Sequence, residues 1–296
     1  MPAHEVRSWS LRIVDDLVTT VFPSKCLVCN APLLHAARTP VCDACVAHIR
    51  PDTKLLCRIC GEAIGMENER FLESFGAEAC VCTPCRKVPP AFTRAVAFGV
   101  YGDELREMLQ LLKYEQVRSL ARPLGSMLAR AIDLLSDSLP AESELLVVAV
   151  PLFRTKQRGR GFNHAELLAH AAMRSRRRPE LRMRSAHDLL RRVRETQSQF
   201  GLTPHARRSN LRGAFAPGAN AEAALAGRDV LLVDDIYTTG ATARACAQVL
   251  RRAGARNVFV ATVARAQVEA VAMWDASAGR TAAHAQQFAV ATGGHR

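Results

Sequence analysis

Aromatic side chains are scarce in this sequence: 11 Phe, 3 Tyr and 2 Trp among 296 residues. Aliphatic residues must therefore build the core, and the stacked aromatic platforms common in single-strand nucleic-acid binders are in short supply. No run approaches the roughly 18 apolar residues of a membrane-spanning helix, which argues against membrane insertion. The N-terminus lacks a secretory pattern, because Arg12, Asp15 and Asp16 interrupt its apolar stretch and no small-residue cleavage site follows; a cytoplasmic protein is expected. Acids are also short. With 28 Asp and Glu against 40 Lys and Arg, the net charge is +12 and the pI near 9.7. That balance favours polyanionic or phosphorylated partners, with a simply solvated basic surface as the alternative, and carries no information about fold.

Cysteine, by contrast, is concentrated. Nine of the 10 cysteines lie between Cys26 and Cys85. Eight form CxxC pairs: Cys26 and Cys29, Cys42 and Cys45, Cys57 and Cys60, Cys82 and Cys85. A two-residue gap lets both thiolates point at one tetrahedral metal from a tight knuckle, and two knuckles complete a four-sulfur zinc site. The first two pairs are 12 residues apart and the last two 21, so pairing in sequence order predicts two structural zinc sites, with an interleaved arrangement also open. A disulfide framework would need an oxidising compartment. A redox role for four CxxC copies lacks the thioredoxin-like unit around them. The cysteine-rich stretch has little periodic apolar sequence, so metal would supply its folding energy. Cys80 has no assigned role, and Cys246 reads as buried packing in a helix.

Ahead of the cysteines, Trp9, Ile13, Leu17 and Val21, with Val14 and Val18, repeat at helical spacing. We read residues 1–22 as an amphipathic helix packing on its own protein, since acids within it disfavour a membrane surface. Residues 23–88 form the double zinc-ribbon segment. From residue 89 to 268 strand-like and helix-like stretches alternate: a strand over "AFTRAVAFGVYG", two helices over "DELREMLQLLKYEQVRSLARPLGSMLARAIDLL", a buried strand "ELLVVAVPL", a basic loop "FRTKQRGRGFN", the helix "HAELLAHAAMRS", the strand "RDVLLVDDIYTTG" with its loop, the helix "ATARACAQVLRRAGA" and the strand "RNVFVATVARA". Ser185 to Asp188 reads as a short strand or turn, and Thr196 to Asn210 as mobile. This order implies an α/β fold with right-handed crossovers and a parallel sheet flanked by helices. Residues 269–296 lose pattern and are expected to be disordered.

Adjacent carboxylates at Asp234 and Asp235 repel each other, and Thr238, Thr239, Gly240, Ala241 and Thr242 follow. If Val230 to Val233 run through the sheet, the acids reach its carboxyl edge, where open α/β sheets bind ligands. The following residues open a helix whose free N–H groups and dipole favour a phosphate. Gly240 permits close backbone approach, the threonines add hydroxyls, and the carboxylates suit sugar hydroxyls or a divalent cation. A single N-cap Asp with a Thr-rich turn accounts for one acid only. The motif therefore predicts a sugar-phosphate site.

"LLVDDIYTTGATARACAQVLRRAGA" resembles the 5-phosphoribosyl-1-pyrophosphate (PRPP) signature of type I phosphoribosyltransferases. With the CxxC pairs, "LLKY" at Leu111 to Tyr114, "VPLFRTKQRGRGFNHAELLA" and "RRVRETQSQFGLTPHARRSNLRGAF", in this order, the chain is similar to the ComF family (the ComFC and GntX names) from about Cys26 to Arg265. Members often have Gln where His164 stands. The resemblance implies a type I phosphoribosyltransferase fold behind a zinc ribbon, and PRPP binding with magnesium. It implies that Asp234 and Asp235 face the ribose hydroxyls and that Thr238, Thr239, Gly240, Ala241 and Thr242 wrap the 5-phosphate. Arg154, Arg158, Gly159, Arg160 and Gly161 fall on the pyrophosphate loop, and Gln199, Arg207 and Asn210 on a flexible flap. It further links the chain to competence and DNA uptake, with single-stranded DNA and the competence machinery as candidate partners. Two functions follow: phosphoribosyl transfer to an acceptor, or PRPP sensing by a DNA-binding factor with little turnover. A zinc-ribbon adaptor with a vestigial acid pair is a third. No residue stands out as a general base, and no nucleobase-pocket signature is present.

Overall fold

A computed structural model describes residues 24–33, 39–52, 55–64, 80–139, 144–175, 178, 180–196 and 204–267. The expected N-terminal helix and C-terminal tail lie outside the described residues. The elements, in order, are α1 (Asp43–His48), α2 (Thr83–Lys87), β1 (Arg94–Val100), α3 (Asp103–Tyr114), α4 (Ala121–Asp133), β2 (Glu144–Ala149), α5 (Arg154–Arg160), α6 (His164–Ser175), β3 (Arg182–Ser185), β4 (Leu190–Arg192), α7 (Pro204–Leu211), β5 (Phe215–Pro217), α8 (Ala221–Leu225), β6 (Asp229–Tyr237), α9 (Ala241–Arg252) and β7 (Asn257–Arg265).

Five strands form a sheet in the order β1–β7–β6–β2–β3, parallel throughout. The central strands read as near-continuous apolar runs because helices cover both faces. Side chains alternate between two cores. Leu231, Val233, Phe259, Ala261 and Val263 pack with α3, α4 and α6 on one face. Val230, Leu232, Val258 and Val260 pack with α8, α9 and the β4–β5 region on the other. Close approach of α4 to α6 depends on Gly125, where an added Cβ would lie 2.3 Å from the Ala171 Cβ. The antiparallel pair β4–β5 forms a small second sheet beside the main one.

One sequence reading needs correction. "FRTKQRGR" is helical rather than a loop: Arg154–Arg160 forms α5 and Gly161 closes it in the left-handed region at φ 71°. Long, unbranched Arg, Lys and Gln side chains favour helix, and the glycine ends it. The stretch read as mobile contains α7 over Pro204–Leu211. Elsewhere the helix over His164–Ser175 and the long strands fall where their periodicity puts them. Ser185 ends β3, and His187–Leu189 forms a single 3₁₀ turn.

The cysteines assemble in sequence order. Cys26, Cys29, Cys42 and Cys45 form one cluster and Cys57, Cys60, Cys82 and Cys85 the other, with sulfurs within 4.8 Å of one another in each. A tetrahedral zinc with bonds of about 2.3 Å requires sulfurs about 3.8 Å apart. The observed separations are 4.0 Å for Cys26–Cys45, 3.7 Å for Cys29–Cys42 and 3.6 Å for Cys60–Cys82. Such distances are far beyond the roughly 2.05 Å of a disulfide. Backbone N–H groups of Val28 and Cys42 point at Cys26 Sγ at 3.4 Å, and that of Cys82 at Cys57 Sγ at 3.3 Å. Although burial opposes ionisation of Cys26, backbone N–H groups hold its thiol down at about 6. These residues fit zinc.

Candidate functional site

The register places the acids. Ala149, the last residue of β2, pairs with Val233 of β6, so Asp234 is the first β6 residue beyond the end of its neighbour. The connection after β2 leads to α6 on one face, and that after β6 leads to α9 on the other. The crevice between these two strand ends is a topological switch point, the usual ligand position in an open α/β sheet.

Strand β6 continues through Asp229–Tyr237, so both acids are still in extended backbone and their side chains diverge. Asp234 follows Val230 and Leu232 to the α9 side. There it lines an open cleft of about 300 Å³ with Ile236, Tyr237, Thr238, Gly240, Ala241 and Thr242, floored by Val150, Leu232, Val260 and Thr262. Asp235 follows Leu231 and Val233 to the α3 and α6 side. Its Oδ2 meets Lys113 Nζ and, at 3.2 Å, His164 Nε2. Repulsion between the neighbours is therefore relieved within the chain. Each carboxylate also accepts the next backbone N–H, at 2.9 Å for Asp234 and 2.7 Å for Asp235.

Desolvation raises the Asp234 carboxyl from 3.8 to about 6, against the pull of Lys113 and Arg192. Burial pushes Lys113 down to about 8, opposed by Asp234. His164 is held well below its usual value by burial and by the Lys113 and Arg160 charges, so it is a neutral imidazole. Its partners assign the tautomer: Nε2–H donates to Asp235, while Nδ1 faces the Arg160 guanidinium at 3.4 Å. His164, Asp234 and Asp235 together present three ligand atoms within 4.8 Å, a set that could hold a divalent cation.

Past β6 the chain turns through Thr238 and Thr239 into Gly240, which caps α9 at φ 73°. A Cβ there would sit 2.1 Å from Tyr237 Oη, so glycine is needed for conformation and for space. The N-cap Gly240 supplies no side-chain cap to α9, and among the described residues the enclosed Thr239 Oγ1 has no hydrogen-bond partner. The helix's first-turn amides, its dipole and the Thr239 hydroxyl converge where an oxyanion would be accommodated.

Of the other expected residues, Arg160 joins this cluster: its guanidinium lies 5.2 Å from the exposed Tyr114 ring. Arg154, Arg158 and Gly159 are exposed on α5, and Gly161 ends it. Asn163 fixes the start of α6, donating to Val150 O and to Glu166 at 3.1 Å each and accepting from Ala165 N at 3.0 Å. Arg207 and Asn210 lie in α7, where the Asn210 carbonyl accepts from Arg194 at 2.7 Å; Gln199 lies outside the described residues. Sequence reading missed three participants. Lys113 continues the stripe of Leu105 and Leu109 at four-residue spacing, and a lysine on that buried stripe was the available signal. His164 was noted only as a departure from Gln. Arg192 stacks over Phe215 at 5.4 Å and faces Asp234; no local pattern distinguishes it from its basic neighbours.

A family model described as the phosphoribosyl transferase domain matches residues 186–291. With the parallel five-stranded sheet and the crevice above, the chain is a phosphoribosyltransferase-fold protein preceded by two four-cysteine clusters. It is 28% identical to Competence protein F of Haemophilus influenzae over 83% of this chain and 98% of that one. It is likewise 28% identical to the DNA utilization protein YhgH of Escherichia coli K12, covering 80% and 95% of the two chains. Identity to Competence protein ComFC of Streptococcus pneumoniae is 26% over 81% of this chain and all of that one. Over about four fifths of its length the chain is thus similar to proteins named for competence and DNA utilization.

Proposed function

We propose that this protein binds PRPP at the end of β6 and acts in the handling of incoming DNA. The observation that carries the reading is the junction of Asp234 with the uncapped start of α9, where Thr239 Oγ1 lacks a partner. In this reading the 5-phosphate takes the N–H groups and hydroxyls of Thr238 to Thr242, and Asp234 accepts from a ribose hydroxyl. Asp235 reaches the sugar or its magnesium only by loosening its contact with Lys113. Arg154, Arg158 and Arg160 supply positive charge for the pyrophosphate. If transfer occurs, a nucleophile displaces pyrophosphate at C1, and these cations stabilise the charge that develops on the leaving group. An ion held by Asp234 and Asp235, and joined by His164 once its Nε2 no longer donates to Asp235, would neutralise the same charge.

Support for the DNA role comes from the relatives, which are named for competence and for DNA utilization. The exposed Arg191, Arg194 and Arg212 beside β4 and β5 suit a single-stranded phosphate backbone. They favour a second reading, a PRPP-responsive DNA binder with little turnover. In either reading the protein carries two zinc ions, one per cysteine cluster.

Titration calorimetry with PRPP and magnesium tests the binding. Affinity should be present in the native chain and lost in Asp234→Asn with Thr239→Val; no heat of binding in the native chain refutes it. Pyrophosphate release over multiple turnovers with any base or nucleotide acceptor supports transfer. Salt-dependent single-strand binding that persists in Asp234→Asn/Asp235→Asn supports the second reading.

A further inference from the structure

The two cysteine clusters differ in what surrounds their sulfurs. In the first, the contacts come from local backbone: Val28, Cys42 and Cys45 N–H groups reach Cys26 and Cys42. The second is tied into the sheet. Ala95 N of β1 donates to Ile59 O at 2.7 Å, and the knuckle glycine Gly61 abuts Ala95 O, 3.1 Å from where its Cβ would be. Two arginines then approach its sulfurs from the ligand site. Arg265, buried at the end of β7, donates to Cys60 O and to Glu62 and lies 3.8 Å from Cys60 Sγ. The same guanidinium stacks 4.3 Å from the Tyr237 ring, and Tyr237 is the residue that requires glycine at 240. Arg244, in the first turn of α9, lies 3.9 Å from Cys85 Sγ and donates to Val88 O at 2.8 Å.

We infer that the second cysteine site is coupled to the phosphate end of the cleft, with Arg265 and Arg244 as the positioning residues that join them. A zinc bound by four thiolates carries a net charge of −2, and a second shell of cations and hydrogen-bond donors stabilises it. Filling the site fixes both guanidiniums. Arg265 then holds Tyr237 against Gly240, and Arg244 anchors the first turn of α9. Emptying the site releases both, and with them the helix end that receives the oxyanion. The linkage is reciprocal: the factor by which metal strengthens ligand binding equals the factor by which ligand strengthens metal binding. The ligand half of this inference rests on the proposed PRPP site; the helix half does not.

The test uses the full chain, zinc competition with a chromophoric chelator, and hydrogen exchange of the α9 amides. Arg244→Gln and Arg265→Gln should each weaken one zinc of two, by roughly ten- to hundredfold, leaving the other unchanged. Emptying the second site with Cys82→Ser should speed exchange at Ala241 to Arg244, whereas Cys29→Ser in the first cluster should not. Should Arg265→Gln fail to fold, Arg244→Gln, altering a partly exposed residue, provides the same readings. PRPP with magnesium should raise the affinity of the second zinc only. Equal weakening of both zincs or of neither, or α9 exchange indifferent to Cys82→Ser, overturns the inference. If PRPP does not bind, the site reading fails and the exchange measurement alone decides the coupling. If PRPP binds and the second zinc does not respond, the coupling is wrong and the site reading stands.

Discussion

Replacing Asp234 by Asn should stabilise the fold while removing ligand binding. The carboxyl is raised from 3.8 to about 6 by desolvation, more than Lys113 and Arg192 offset. A raised acid contributes stability that is full below its unfolded pKa and lost as pH rises through the folded one. At pH 7.5 the ionised group therefore weakens the fold. The shift is about two units, and each unit is about 1.4 kcal/mol, giving a ceiling of ~3 kcal/mol. Asp234 is partly exposed, which reduces the expected gain to about 1–2 kcal/mol. Asn keeps an acceptor for the Asp235 N–H at 2.9 Å, so the geometry survives. Urea denaturation of the zinc-loaded chain should show Asp234→Asn more stable at pH 7.5, with the gain falling by about half at pH 5. A loss of stability at pH 7.5, or a gain that does not shrink on acidification, refutes the reasoning.

Lys113→Met leaves Asp235 with His164 as its remaining side-chain partner. It should cost about 3–5 kcal/mol, and Lys113→Met/Asp235→Asn should recover most of that, as read by the same denaturation curves. Gly240→Ala forces a Cβ into the left-handed region and to 2.1 Å from Tyr237 Oη; we expect a loss of about 2 kcal/mol or more together with loss of PRPP affinity. Gly125→Ala drives a methyl against Ala171 at 2.3 Å and should lower stability by about 1–3 kcal/mol without changing ligand affinity or zinc content.

The sequence by itself determined the elements that repeat strongly or carry a local motif. The apolar runs at 145–149, 230–233 and 258–264 read as central strands covered on both sides, because they carry almost no polar residue. Four CxxC pairs defined four metal-binding knuckles, two to a site, since each pair needs only a local turn to converge its sulfurs. Asp234 through Thr242 marked the candidate ligand site, because glycine and threonines opening a helix after two acids have few other uses. Tertiary structure decided the rest. It gave Asp235 to Lys113 and His164 and left Asp234 lining the cleft, since β6 runs on through Tyr237 and neighbours along a strand take different partners. Lys113, His164 and Arg192 were brought to the acids from α3, α6 and β4, segments 40 to 120 residues distant in the chain, a convergence that no local pattern encodes. Folding also docked the second cysteine cluster onto Arg265 and Arg244. Those contacts depend on how two independently legible pieces pack, and packing is a property of the assembled surfaces rather than of either segment.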